Sequence, residues 1–309
     1  MLRSFTRLKT ISLLAVMMAM MASPSQRASA QRAPLTVDFF SGFDVNFRDI
    51  SYMRQYDFYV CLKPAFKLNF GDHWQVAGQM YVDLVDQYDY APYDIYYSHY
   101  GRTVYFGMLD ISKEFRLGNV YFKASGGFFS DSRYGVDLKV LWPVADWLAF
   151  EAQGGCTGLF STRDGWGFSP MQRFTGTIGG DIYLSRTNTQ LRGIVGSYVF
   201  KDFGAEAEAI RHFRHSSVSL YANWNNKDSF NGGFRVVVML PPYHRKQRVV
   251  NFRPASNYYF PYYILSHPWT NRMYATDPEE NMRDGWFSRD FLGWGSHTME
   301  PDYIITPKE

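Results

Sequence analysis

Along most of the chain, apolar and polar residues alternate with a period of two, the spacing of a strand whose two faces meet different surroundings. In residues 73 to 84, Trp74, Val76, Met80, Val82 and Leu84 share one face, and Gln75, Gln79, Tyr81 and Asp83 share the other. Residues 133 to 142 set Tyr134, Val136, Leu138, Val140 and Trp142 against Asp137 and Lys139. The pattern weakens over 190 to 200, where neither face is cleanly polar. Twelve segments are predicted as strands, with ten as the alternative count: 35–46, 56–70, 73–84, 103–111, 119–129, 133–142, 147–157, 172–184, 190–200, 204–213, 215–225 and 232–240.

The connections between these segments fall into two sets. One is tight, as at Gly71-Asp72 and Pro143 to Asp146; the other is mostly longer, as at 85–102 and 158–171. That asymmetry, on strands long enough to span hydrocarbon, predicts an all-β fold: an antiparallel transmembrane β-barrel of the outer membrane, closed because unpaired backbone groups are costly in lipid. An even strand number places both barrel ends in the periplasm. Trp74, Trp142, Trp147 and Tyr183 lie near strand ends, where interfacial rings are expected. Glycines inside strands, Gly154 and Gly155 among them, leave room for inward aromatics. A secreted β-sandwich or soluble sugar-binding module is the alternative for the same alternation.

Composition sharpens this picture. Aromatic residues make up 18% of the 309 residues, yet no apolar run long enough for a spanning helix follows the first thirty. Those thirty residues read as an export signal: Arg3, Arg7 and Lys9, then an apolar stretch from Ile11 to Met21, then Ala28-Ser29-Ala30. They hold four of the 32 basic residues and no acidic ones, so the rest carries 28 against 29, a formal charge of −1. Nucleic-acid binding has no support in such a balance. The expected domains are a signal peptide at 1–30, a barrel at 31–240, and an aromatic, Pro-rich periplasmic extension at 241–309.

That extension begins at Pro241-Pro242 and shows no sustained period. His244, Arg245, Lys246 and Arg248 form a basic cluster suited to head groups, phosphates or a partner. Tyr258 to Tyr263, Trp269, Trp286 and Trp294 give it an aromatic content suited to capping the barrel or docking.

Candidate chemistry is sparse. Glu206, Glu208 and His212 share one strand face and would face the lumen, as a polar network with Arg192 or Arg235. A catalytic group with Ser216 or Ser217, as in a lipid hydrolase, is the alternative. Asp83, Asp86, Asp89 and Asp94 suggest a solvated loop entrance, with divalent-cation binding as the other reading. Cys61 and Cys156 lie in the second and seventh predicted strands, too far apart for a ready disulfide, and are expected to be free buried thiols. Neither a metal site nor a cofactor is expected, and the protein is expected not to be an enzyme.

Phe128-Phe129-Ser130-Asp131-Ser132 followed by Arg133, Tyr134, Gly135 and Asp137 resembles a motif of the YjbH-like exopolysaccharide-biosynthesis outer-membrane proteins. Asn231-Gly232-Gly233-Phe234-Arg235, Leu240-Pro241-Pro242 and Asn251 to Ser256 extend the resemblance, which covers roughly 120 to 256. It implies a non-enzymatic accessory to capsule or exopolysaccharide secretion. Its expected partners are outer-membrane lipid, a periplasmic or outer-membrane export protein, and polysaccharide. The alternatives are an outer-membrane lipid-modifying hydrolase and a structural partner of a protein secretion machine.

Overall fold

The computed structural model describes residues 36–48, 57–71, 73–86, 104–145, 147–162, 165–213, 216–227, 229–239, 250–253, 257–263 and 273–278. Long strands dominate. They are β1 (Thr36–Arg48), β2 (Asp57–Phe70), β3 (Trp74–Asp86), β4 (Val104–Leu117), β5 (Val120–Phe129) and β6 (Arg133–Ala145). β7 (Leu148–Ser161), the two-residue β8 (Gly167–Phe168), β9 (Arg173–Leu184), β10 (Thr189–Ser197) and β11 (Phe203–His212) follow. β12 (Ser216–Asn225), β13 (Ser229–Met239), β14 (Val250–Arg253) and β15 (Asn257–Tyr263) complete the series.

From β1 to β13 each strand pairs antiparallel with the next, except that β7 passes over β8 to pair with β9. β8 folds back on the end of β7, Phe160 facing Phe168. The twelve antiparallel strands expected from the alternation are therefore present. Beyond them, β15 pairs antiparallel with β13 and parallel with β1, while β14 pairs parallel with β1. β1 also pairs antiparallel with β2, so both of its edges are occupied.

Parity explains the parallel pairing. With β8 set aside, and β14 too because it runs in the same direction as β15, β15 is the thirteenth strand in an alternating up-and-down path. It runs in the same direction as β1, so the two can pair only in parallel. The expected fold, an all-antiparallel barrel with an even strand count and its last strand ending near residue 240, is corrected on this point. The sheet has fifteen strands and mixed pairing, and two of them come from the segment expected to lie outside it. Strand pairing does not establish a membrane crossing either, so the expected closed transmembrane barrel of transmembrane strands does not stand as a description of the fold. No helix among the described residues is long and apolar enough to cross a membrane, which says nothing about strands.

The two faces of the sheet differ as the alternation requires, but in the reverse sense to a soluble protein. Leu220 and Ile178 are 67% and 66% exposed, whereas Asp137 is fully buried and Lys123 and Lys139 are 1% exposed. Charged residues are almost never so fully buried unless paired, and so many large apolar residues exposed on one face form a patch that a water-soluble monomer rarely carries. A bulge keeps the sorting intact where β4 loses its phase. Gln79 faces Met108 and Met80 faces Phe106, leaving Gly107 as the extra residue. A side chain at Gly107 would press on the Gln79 carbonyl, so the bulge needs glycine there.

A polar interior that holds the segment 273–278

The buried face is built from every second residue of consecutive strands. Gln75, Ser112, Ser125 and Asp137 stand side by side in register across β3, β4, β5 and β6. Lys123 and Lys139 occupy the adjacent row on β5 and β6. A short C-terminal segment, Met273 to Pro278, lies against this face. Tyr274, Thr276 and Asp277 are each 2% exposed or less.

The segment is held at four residues. Tyr274 stacks on Phe129, with ring centroids 5.2 Å apart and planes 7° from parallel. Its hydroxyl donates to Asp137 Oδ1 at 2.7 Å and lies 3.3 Å from Thr175 Oγ1. The Ala275 backbone makes a reciprocal pair with Ser130: the Ala275 amide donates to Ser130 Oγ at 2.7 Å, and the Ser130 amide donates to the Ala275 carbonyl at 3.0 Å. Asp277 is clamped between Lys67 Nζ at 2.6 Å and Lys123 Nζ at 2.9 Å, and Gln75 Nε2 donates to it at 3.1 Å. Gln79 Nε2 donates to the Pro278 carbonyl at 3.3 Å.

These contacts fit a curved sheet. Lys67 on β2 and Thr175 on β9 are six strand steps apart, about 29 Å along a flat sheet. Tyr274 and Asp277, which touch them, are three residues apart and separated by at most about 11 Å. β1 pairs with β2 and also with β15, the neighbour of β13, so the sheet curves round and its inward face surrounds the segment. Gly155 gives it room. A side chain at Gly155 would collide with the Tyr274 hydroxyl and crowd Asp137.

The residues singled out from the sequence fall into two regions. Arg133, Tyr134, Gly135 and Asp137 begin β6, directly after the Phe129-Ser130-Asp131-Ser132 turn that receives the segment. Asp131 and Ser132 take φ of 57° and 55°, the left-handed pair of a tight hairpin turn. Gly135 (φ 154°) lies against the Cys156 carbonyl, where a side chain could not fit. Tyr134 donates its hydroxyl to the Ser169 carbonyl, fastening the connection after β8. Arg133 is buried, and Asp137 also accepts from Gln153 Nε2 at 3.1 Å.

The second region lies on β10 to β13. Arg235 donates through both terminal nitrogens to Glu206 Oε1 at 3.1 Å and pairs with Glu208 Oε2 at 3.0 Å. Its guanidinium also sits 3.8 Å from the Tyr221 ring centroid. Ser219 donates to Glu208 Oε1 at 2.5 Å, and Asn223 Nδ2 donates to Glu206 Oε2 at 3.4 Å. Arg192 pairs elsewhere, with Glu151 at 2.5 Å. His212 Nε2 lies 3.0 Å from Gln190 Oε1, and Gln190 Nε2 donates to Asp181 at 2.5 Å. The serine bonded to a glutamate is thus Ser219, and the histidine is engaged with glutamine.

Cys61 and Cys156 are buried free thiols. Among the described residues no group of three or more His, Cys, Asp or Glu could hold a metal. His244, Arg245, Lys246, Arg248, Asp89, Asp94, Trp269, Trp286, Trp294 and the export segment lie outside the described residues.

The pocket around Asp277 was missed in the sequence. Lys63 and Lys67 share a strand face with Ala65 in β2, and Lys123 shares one with Ser125 in β5. Lysines at inward positions of predicted strands were the signal, since a buried amine needs a carboxylate nearby. Nothing in the local sequence around 273–278 marked it as the source.

No family model matches the chain, and no curated protein matches it. Among solved structures, Pseudomonas aeruginosa OccK9 (OpdG) is similar at 11% identity, over 67% of this chain and 63% of that one, with a TM-score of 0.36. The outer membrane protein opdK from Pseudomonas aeruginosa is similar at 12% identity, over 67% and 62%, with a TM-score of 0.34. The chain therefore spans less than two thirds of the length of either, and likeness at this level carries no argument about function. The resemblance to YjbH-like proteins is corrected: no family model supports it, and the solved structures that match carry other names. The expected role in capsule or exopolysaccharide secretion rested on that resemblance and falls with it, and the geometry supports neither the hydrolase nor the secretion-machine alternative.

Proposed function

We propose that this is an outer-membrane, channel-type protein whose sheet turns its apolar face to lipid and its polar face to a solute path. In the present structure that path is occluded by residues 273–278. The observation that carries the reading is the inverted burial, with Asp137, Lys123 and Lys139 inside and Leu220 and Ile178 outside. Lipid removes the penalty for exposed aliphatics, and ion pairs and hydrogen bonds on the wrapped face offset the burial of charge.

The apolar face is also zoned. Trp142, Trp147, Phe150 and Phe213 are exposed toward the end with the tight turns, and Trp166, Phe168, Phe203 and Phe230 toward the other. Leu109, Ile111, Ile178, Val195, Val218 and Leu220 lie between them. Exposed rings near both ends suit two interfaces, while exposed aliphatics run the length of the strands, Leu117 and Val144 at their ends included. The reading assigns no catalysis.

The test is reconstitution of the full chain into liposomes loaded with a small sugar. The wild-type chain is expected to resist carbonate extraction and to give a low flux. The Tyr274→Ala/Asp277→Ala double variant, which loses the stacking, the hydroxyl and the carboxylate, is expected to raise that flux. Release of the wild-type chain by carbonate, or equal flux from both proteins, overturns the proposal.

A further inference from the structure

We infer that Lys67, Lys123 and Gln75 form a carboxylate-binding pocket, that Asp277 is its built-in occupant, and that a small free carboxylate takes the same place when the segment leaves. The inference deepens the proposed channel reading by naming the chemical class the interior selects, and it rests on that reading for its setting. The pocket itself rests on geometry alone.

Each oxygen of Asp277 has its own ammonium partner, Oδ1 with Lys67 at 2.6 Å and Oδ2 with Lys123 at 2.9 Å, and Gln75 Nε2 adds a third donor to Oδ2 at 3.1 Å. Three donors converging on two oxygens is a carboxylate-shaped arrangement. The donors stand on β2, β3 and β5, so strand pairing fixes their backbone positions independently of the segment. The occupant lies among residues 273–278, which form no strand. Rigid donors with a detachable acceptor describe a binding site filled by its own chain. Glu114, on the neighbouring strand, lies 3.7 Å from Lys123, too long for a hydrogen bond. It cannot take the position of Asp277 between the two lysines.

Competition follows from this arrangement. The attached carboxylate has a high effective concentration at the pocket, so a free acid displaces it poorly. Removing the attached carboxylate without disturbing the donors should therefore convert the pocket from closed to open for free acids.

The test is chemical rescue, read as thermal unfolding of the full chain in detergent micelles. Asp277→Ala is expected to lower Tm. Acetate is expected to restore about 3 °C or more relative to chloride at equal ionic strength. Wild-type protein and the Lys67→Met/Lys123→Met/Asp277→Ala variant are expected to show no acetate-specific gain. If Asp277→Ala does not fold in chloride, its refolding yield in acetate against chloride is read in the same way. No difference between acetate and chloride, or an equal gain in the triple variant, overturns the inference. The assay uses no bilayer, so its failure is separate from failure of the channel reading: rescue without flux leaves the pocket standing, and flux without rescue leaves the channel standing without this pocket.

Discussion

Tyr274 shows how one side chain can seat a segment. Its ring covers Phe129 while its hydroxyl reaches the buried Asp137 carboxylate at 2.7 Å, so the apolar and polar halves of tyrosine are both used. Tyr274→Phe keeps the stacking and removes the hydroxyl. A hydrogen bond to a charged group is worth about 1.5–3 kcal/mol, and that is the expected loss of stability by denaturant unfolding in micelles. Hydrogen exchange should separate this from a general weakening: residues 273–278 should exchange faster while β5 and β6 stay protected. Gly155→Ala tests the same seat from the other side. The added methyl group meets the Tyr274 hydroxyl and Asp137, so the segment should loosen although neither partner has been changed. Unchanged exchange at 273–278 in both variants would mean that the segment is not held as the distances indicate.

On the scale of elements, the sheet sorts its residues by strand phase, and the consequences lie in rows that cross several strands. Arg235 on β13 reaches Glu206 and Glu208 on β11 across the width of β12, and Tyr221 and Ser219 on β12 fill the space between. Arg235→Met leaves the buried carboxylate of Glu208 and the half-buried one of Glu206 two residues apart on the same strand face. Breaking a buried pair costs about 3–5 kcal/mol, whereas Ser219→Ala, which removes a single donor, should cost about 1–3 kcal/mol. A double-mutant cycle on Arg235 and Glu206 measures their coupling, and a value near zero would show that the cluster is solvated rather than enclosed. Such rows also show what the sequence could and could not convey. Alternation located the strands, and placed Glu206, Glu208 and Arg235 on the inward face, because strand phase is local. It could not show that Arg192 meets Glu151, since that depends on the register across β9 and β10. The Arg133 to Asp137 motif is singled out only by a resemblance, yet Asp137 accepts from Tyr274, 137 residues downstream. The parallel pairing of β15 with β1 was hidden for a similar reason. Tyr258 to Tyr263 is aromatic except at Pro261 and has no polar face to give a period, so only its partners on both edges show it to be a strand.

For the molecule as a whole, the question is which solvent the apolar face meets, and a charge placed on that face answers it by the size of its effect. If the face is bathed in water, Leu220→Arg and Ile178→Arg replace side chains already 67% and 66% exposed, and surface substitutions of that kind are usually within about 0.5 kcal/mol. If the face meets hydrocarbon, each arginine must hold a guanidinium among acyl chains, at about 2–4 kcal/mol near the bilayer midplane and much less near an interface. The expected result is the second. Both variants should insert poorly or unfold at lower denaturant when refolded into liposomes, while Thr187→Arg, in the exposed turn between β9 and β10, should match the wild-type chain. Detergent-solubilised protein provides the internal control, because an arginine at a micelle surface bends readily to water and the penalty should shrink there. The inverted burial makes this comparison decisive. The same wrapping that encloses Asp137, Lys123 and the carboxylate of Asp277 pushes the leucines and isoleucines outward, so a face that tolerates arginine in liposomes would remove the basis for a polar solute path as well.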